Sequence, residues 1–176
     1  MTKKSLATNP VRKFRTKAGL SQLAFSKKCM PKVSVQAVYM TENGVYENIP
    51  KGIQTYMASR DVDWDSVLDE YNQFRLNVYA QNASEFDGRI FVFPSPDQTK
   101  NPIKEFRLAT LNKNPSATCM HFLINPGIYK RLEETTDYAK IPETIVKAFL
   151  AGGLPGSVVG ELEERYKEFW DYKRFS

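Results

Sequence analysis

The chain has 176 residues, 41% hydrophobic and 12% aromatic, which suffices for one ordinary domain or two small ones and excludes a disordered protein. Its net charge of +5 is unevenly spread. Residues 1–60 hold eleven Lys or Arg against two acids (+9), residues 61–100 hold three against eight (−5), and residues 101–176 hold eleven against ten (+1). A basic balance confined to the first third points to a polyanionic partner, of which nucleic acid is the usual one. Cys29 and Cys119 are too few for a disulfide framework, and neither they nor the single His121 has metal-ligand spacing. No apolar run approaches the roughly 20 residues a membrane span needs, and Met1 to Leu6 lack the apolar stretch of a signal peptide. A cytoplasmic protein with no cofactor, metal or membrane partner is expected.

In chain order, Val11, Phe14 and Ala18 fall at helical spacing behind Pro10, and Gly19 ends that first helix. Ser21 caps a short second helix whose buried side is expected to be Leu23, Ala24 and Cys29. Met30-Pro31 breaks it. Ser34 caps a third helix, with Ala37, Val38 and Thr41 inward and Gln36, Tyr39 and Met40 outward, and Asn43-Gly44 stops it. Ile49-Pro50 opens a fourth helix running to about Ser59, and Asp61-Val62-Asp63 starts a longer one through about Tyr79. Arg89 to Phe93 is expected as a short strand ended by Pro94-Ser95-Pro96, inside a linker over residues 81–100. Ser157 to Phe175 forms a last helix.

The segment after the linker repeats the first. Asn9-Pro10-Val11-Arg12-Lys13-Phe14-Arg15 returns as Asn101-Pro102-Ile103-Lys104-Glu105-Phe106-Arg107, and the same 92-residue offset pairs Glu42 with Glu134, Tyr46 with Tyr138 and Ile49-Pro50 with Ile141-Pro142. The matches cluster at the two ends of the segment; the middle has none. In the second copy Leu111-Asn112-Lys113-Asn114 replaces Gly19-Leu20-Ser21-Gln22, and Pro126-Gly127-Ile128 replaces Ser34-Val35-Gln36. A repeat kept for shape and association is expected, with Lys104, Arg107, Lys113, Lys130 and Arg131 available for a weaker backbone contact.

Arg12 to Arg15, then Ala18-Gly19-Leu20-Ser21-Gln22, then Glu42-Asn43-Gly44, resemble the helix-turn-helix of the Cro and phage-repressor (XRE-like) family, in which such segments open the second helix and end the recognition helix. The resemblance covers about 50 residues. It departs from the family pattern in a connection about two residues longer and in Met30-Pro31-Lys32-Val33 where a glycine turn is usual. It implies a mainly α fold: two tandem small helix-turn-helix domains, residues 1–80 and a diverged copy at 101–176. It also implies a repressor-like transcriptional regulator of a phage or other mobile element, binding double-stranded DNA and able to form a homodimer.

The residues support the same interface. Ser34, Val35, Gln36 and Tyr39 are the expected base contacts, since Gln pairs with adenine and Val meets a thymine methyl. Arg12, Arg15, Lys17, Ser21, Gln22, Lys27, Lys28, Lys32 and Lys51 are the expected phosphate contacts, which position the protein without reading sequence. Glu42 is expected to pair inside the domain. The alternative is a helix-turn-helix scaffold that binds another protein, such as a polymerase, repressor or toxin, which the nearly neutral second copy leaves open. An enzyme is not expected: there is one histidine and no Cys–His pairing, and Gly152-Gly153-Leu154-Pro155-Gly156 reads as a turn between helices.

Overall fold

The computed structural model describes residues 8–176; Met1 to Leu6, examined above for a signal peptide, lie outside them. All regular structure among the described residues is helical, and the chain divides between Val78 and Tyr79 into two compact units.

Five helices build the first unit: α1 (Pro10–Lys17), α2 (Gln22–Lys28), α3 (Val35–Glu42), α4 (Lys51–Ala58) and α5 (Trp64–Ala83), the last running past the boundary. Each start has a local cause. The Asn9 side-chain oxygen accepts from the N–H groups of Val11 and Arg12, while its amide donates to the Thr41 carbonyl at 2.9 Å and ties α1 to α3. Ser21 and Ser34 accept from the N–H groups of Ala24 and Ala37, satisfying donors that the first turn leaves free. Gly19 and Gly44 end α1 and α3 in the left-handed region, at φ of 67° and 75°. Val11, Phe25, Cys29, Val38, Ile53, Met57 and Tyr71 form the core, with Phe14, Phe25 and Tyr56 packed as an aromatic trio 5.6–6.2 Å apart.

The buried faces of α2 and α3 differ from the sequence expectation. Phe25, not Leu23, is buried on α2, and Leu23 is 53% exposed. Leu23 and Phe25 lie two residues apart and so point to different sides of a helix; the ring of Phe25 fills the gap between Phe14 and Tyr56, which the smaller Leu23 does not reach. Met40 is also buried, not outward.

The second unit uses the same plan. It consists of α6 (Pro102–Phe106), α7 (Pro115–Phe122), α8 (Pro126–Glu134), α9 (Glu143–Ala151) and α10 (Gly156–Phe175), preceded by a short 3-10 turn at Ser84–Phe86. Asn101 caps α6 and donates to the Leu132 carbonyl as Asn9 does to Thr41. Asn114 and Asn125 cap α7 and α8 where Ser21 and Ser34 cap α2 and α3. Arg107 binds Glu133 through two hydrogen bonds of 2.7 and 3.0 Å and donates to the Lys113 carbonyl. Glu133, not Glu134, is therefore the counterpart of Glu42; Glu134 is exposed beside Lys130.

The offset between equivalent positions of the two units shifts along the chain. It is 92 at Asn9/Asn101, 93 at Ser21/Asn114, 91 at Ser34/Asn125 and 92 again at Pro50/Pro142. The first step coincides with the π-helical turn Arg107–Leu111 that continues α6, as an inserted residue produces. The second comes from a shorter turn between α7 and α8. With this register Asn125-Pro126-Gly127 stands where Ser34-Val35-Gln36 stands, one residue earlier than the gapless alignment places it.

Residues 89–93 are not a strand, and the segment around them is not a free linker. Phe91 and Phe93 pack on the second core with Phe86, while Ile90 and Val92 point outward, 85% and 70% exposed. The alternation is that of a strand, but no second strand lies among the described residues to complete a ladder. Thr110 and Arg89 hold the segment instead, through hydrogen bonds from Thr110 Oγ1 to the Val92 carbonyl and from Arg89 to the Thr110 carbonyl.

Gly160 sits inside α10 with open space where a Cβ would stand. Gly160→Ala is expected to stabilise the second unit by about 0.5–1 kcal/mol through the lower backbone entropy of the unfolded chain. A thermal melt showing a lower midpoint for the variant would contradict this placement.

Candidate nucleic-acid interface

The outward face of α3 is set by what its other residues must bury. Val38 and Thr41 have no exposed surface, Met40 and Glu42 are buried, and Ala37 is half-buried. Ser34, Val35, Gln36 and Tyr39 are left exposed, Val35 at 38% and Tyr39 at 41%. Val35, Gln36 and Tyr39 thus share the outward side of α3, while Ser34 is exposed at its start with its hydroxyl oxygen accepting from the Ala37 N–H. Gln36 has no side-chain hydrogen-bond partner among the described residues.

The first unit also carries exposed lysines on several elements. Lys27 and Lys28 end α2, Lys32 lies in the turn, Lys51 opens α4 and Lys17 ends α1; all are exposed. None has an ion-pair partner among the described residues, so each ammonium group remains available to an anion. Lys13, by contrast, lies 3.9 Å from Glu70.

The arginines have a different role. Glu42, with its side chain fully buried, accepts hydrogen bonds from Arg15 Nε at 2.5 Å and Nη2 at 3.1 Å, and from Gln22 Nε2 at 2.8 Å. The remaining nitrogen of Arg15 donates to the Leu20 carbonyl at 2.7 Å. Arg15 was expected to touch phosphate, but its guanidinium is committed inward and locks α1 to α3. Hydrogen bonding to Glu42 raises its pKa further above the ordinary value, against the lowering effect of burial. Gln22, also expected at phosphate, is half-buried, and its amide holds α2 to the same carboxylate. Arg12 is intermediate: its Nε lies 3.6 Å from Glu42 and its Nη2 reaches the Glu42 carbonyl and Asn43, while 44% of the side chain remains exposed. Ser21 is exposed, with its hydroxyl oxygen capping α2.

Two apolar residues of α2 and the turn after it are exposed, one of them Leu23, which the sequence places inward. Leu23 lies one turn before Lys27 on α2, and Met30, 70% exposed, lies in the turn. An alternative helical register for α2, with Phe25 and Cys29 as the buried pair, was the signal that places Leu23 outside.

The second unit lacks the equivalent face. Pro126 and Gly127 replace Val35 and Gln36, and Met120 and His121 replace Lys27 and Lys28. Arg107 is buried against Glu133, Lys113 pairs with Glu85 at 3.4 Å, Lys130 with Glu134 at 3.7 Å, and Arg131 lies over the Tyr138 ring. An open groove of about 620 Å³ beside Phe93, Asp97 and Tyr172 includes Arg165, but that guanidinium is bound to Glu161 and to the Pro94 carbonyl.

The remaining reactive groups are enclosed. Nε2 of His121 lies 3.0 Å from the Gly152 carbonyl, and burial holds the imidazole below its ordinary pKa. Burial pushes the Cys29 and Cys119 thiols up to about 11 and about 12, far from a reactive thiolate. Among the described residues no cluster of His, Cys, Asp and Glu is arranged to hold a metal ion, and no helix is long and apolar enough to cross a membrane. No family model, no curated protein and no solved structure matches the chain.

Proposed function

We propose that the chain is a sequence-specific double-stranded DNA-binding transcriptional regulator, repressor-like in type. In this reading α2, its turn and α3 are a helix-turn-helix, and α3 lies in the major groove. The observation that carries it is the exposed set Ser34, Val35, Gln36 and Tyr39, on a unit whose five exposed lysines Lys17, Lys27, Lys28, Lys32 and Lys51 have no ion-pair partner among the described residues. A surface of unpaired cations gains little from the protein itself and much from displacing the counterions of a phosphate backbone. Base edges are then read by the polar and apolar side chains of that exposed set. The second unit, which keeps the Asn101 and Arg107 framework but not the readers, serves association. Its exposed Ile90, Val92 and Leu108 favour a protein contact there, with a second copy or another regulator.

Mobility-shift titrations at several salt concentrations test this. Gln36→Ala is expected to lower the preference for the selected site by about 1–3 kcal/mol while leaving binding to random duplex unchanged. Lys27→Ala with Lys28→Ala is expected to weaken all duplexes alike and to reduce the log–log salt slope by about two. If neither variant alters duplex binding, this face is not the interface.

A further inference from the structure

Resting on the DNA-binding reading above, we propose that the half-site read by the first unit is built on A·T pairs and excludes guanine opposite Val35 and Gln36. Guanine shows two acceptors, O6 and N7, in the major groove and is matched best by the paired donors of an arginine or by a lysine. The outward side chains of α3 include neither. Both arginines of α1 are committed within the unit, Arg15 to Glu42 and the Leu20 carbonyl, and Arg12 in part to Glu42. The free lysines stand on α1, α2, the turn and α4, where they suit phosphates.

What α3 does present is complementary to adenine and thymine. The Gln36 amide carries one donor and one acceptor, the counterpart of adenine N7 and its N6 amino group. Against guanine, its carbonyl oxygen would face O6, two acceptors with no proton between them; the mismatch is worth roughly 5- to 150-fold in affinity. Val35 offers a branched apolar surface of the kind that covers a thymine methyl, which cytosine lacks. Tyr39, four residues on and therefore on the same face, extends that apolar surface.

The test selects bound fragments from a random duplex pool with the full chain. An A·T-centred motif is expected. Replacing the thymine opposite Val35 by deoxyuridine removes one methyl group and is expected to cost the wild-type chain roughly 4-fold in affinity, whereas Val35→Ala binds both duplexes alike. Gln36→Arg, a change at an exposed position, is expected to recover guanine at one place in the motif. A guanine-centred motif from the wild-type chain, or tight binding without sequence preference, overturns the inference and leaves DNA binding standing. Failure to bind any duplex at low salt overturns the DNA-binding reading itself, and this inference with it.

Discussion

Glu42→Ala is expected to lower the unfolding free energy of the first unit by about 3–5 kcal/mol, the usual cost of leaving one partner of a buried ion pair alone. Glu42 has no exposed side-chain surface and joins Arg15, Gln22 and Arg12, so a single truncation detaches side chains of α1 and α2 from α3. Arg15, only 14% exposed, is then left with the Leu20 carbonyl as its one remaining acceptor. The two tryptophans allow a clean measurement, because Trp64 belongs to the first unit and Trp170 to the second. In a Trp170→Phe background, urea titration followed by Trp64 fluorescence reports the first unit. Replacing the pair together, Arg15→Met with Glu42→Leu, is expected to recover most of the loss, since two apolar side chains need no mutual neutralisation. A loss below about 1 kcal/mol for Glu42→Ala, the range of surface ion pairs, would contradict the burial of this pair.

Gly52→Ala is expected to be nearly as damaging, for a steric reason. A Cβ at Gly52 would stand 1.9 Å from the Pro31 carbonyl oxygen and 2.6 Å from Val33 Cγ2. The first of these is backbone, which cannot rotate away as a side-chain end can. Relief requires α4 to move off the turn that leads from α2 into α3. Overpacking of this kind costs about 1–3 kcal/mol and occasionally more; with a backbone atom as the obstacle, about 3 kcal/mol is expected. In a domain of this size that lowers the melting midpoint by roughly 10–20 °C. Because the displaced turn precedes Ser34, the same variant should lose affinity for the selected duplex at temperatures where it is still folded. An unchanged melting midpoint would mean that α4 does not press on the turn.

The framework common to the two units shows why part of the second was hidden. Its opening was legible because Asn101 and Pro102 repeat Asn9 and Pro10 without a gap. The middle was not, because the π turn after α6 shifts the register by one residue and the shorter turn before α8 reverses and exceeds that shift. A gapless comparison therefore paired Glu42 with the exposed Glu134 instead of Glu133. Asn for Ser at two caps, and Asn112 for Gly19 in the left-handed region, keep the role while changing the residue. Identity is lost where geometry is retained.

The sequence by itself determined the helical character, the caps at Ser21 and Ser34, the stops at Gly19 and Gly44, and the outward placement of Val35, Gln36 and Tyr39. These follow from local rules: a cap acts within three residues, a positive φ within one, and a helix repeats its faces every few residues. Only the tertiary structure decided that Arg15 and Gln22 face Glu42 while Lys27, Lys28, Lys32 and Lys51 stay free, that Phe25 displaces Leu23 from the core, and that residues 89–93 lie on the second core without a partner strand. Whether a charged or apolar group is buried depends on what stands opposite it. For Arg15 that group is a carboxylate 27 positions away, a distance over which no local pattern carries information.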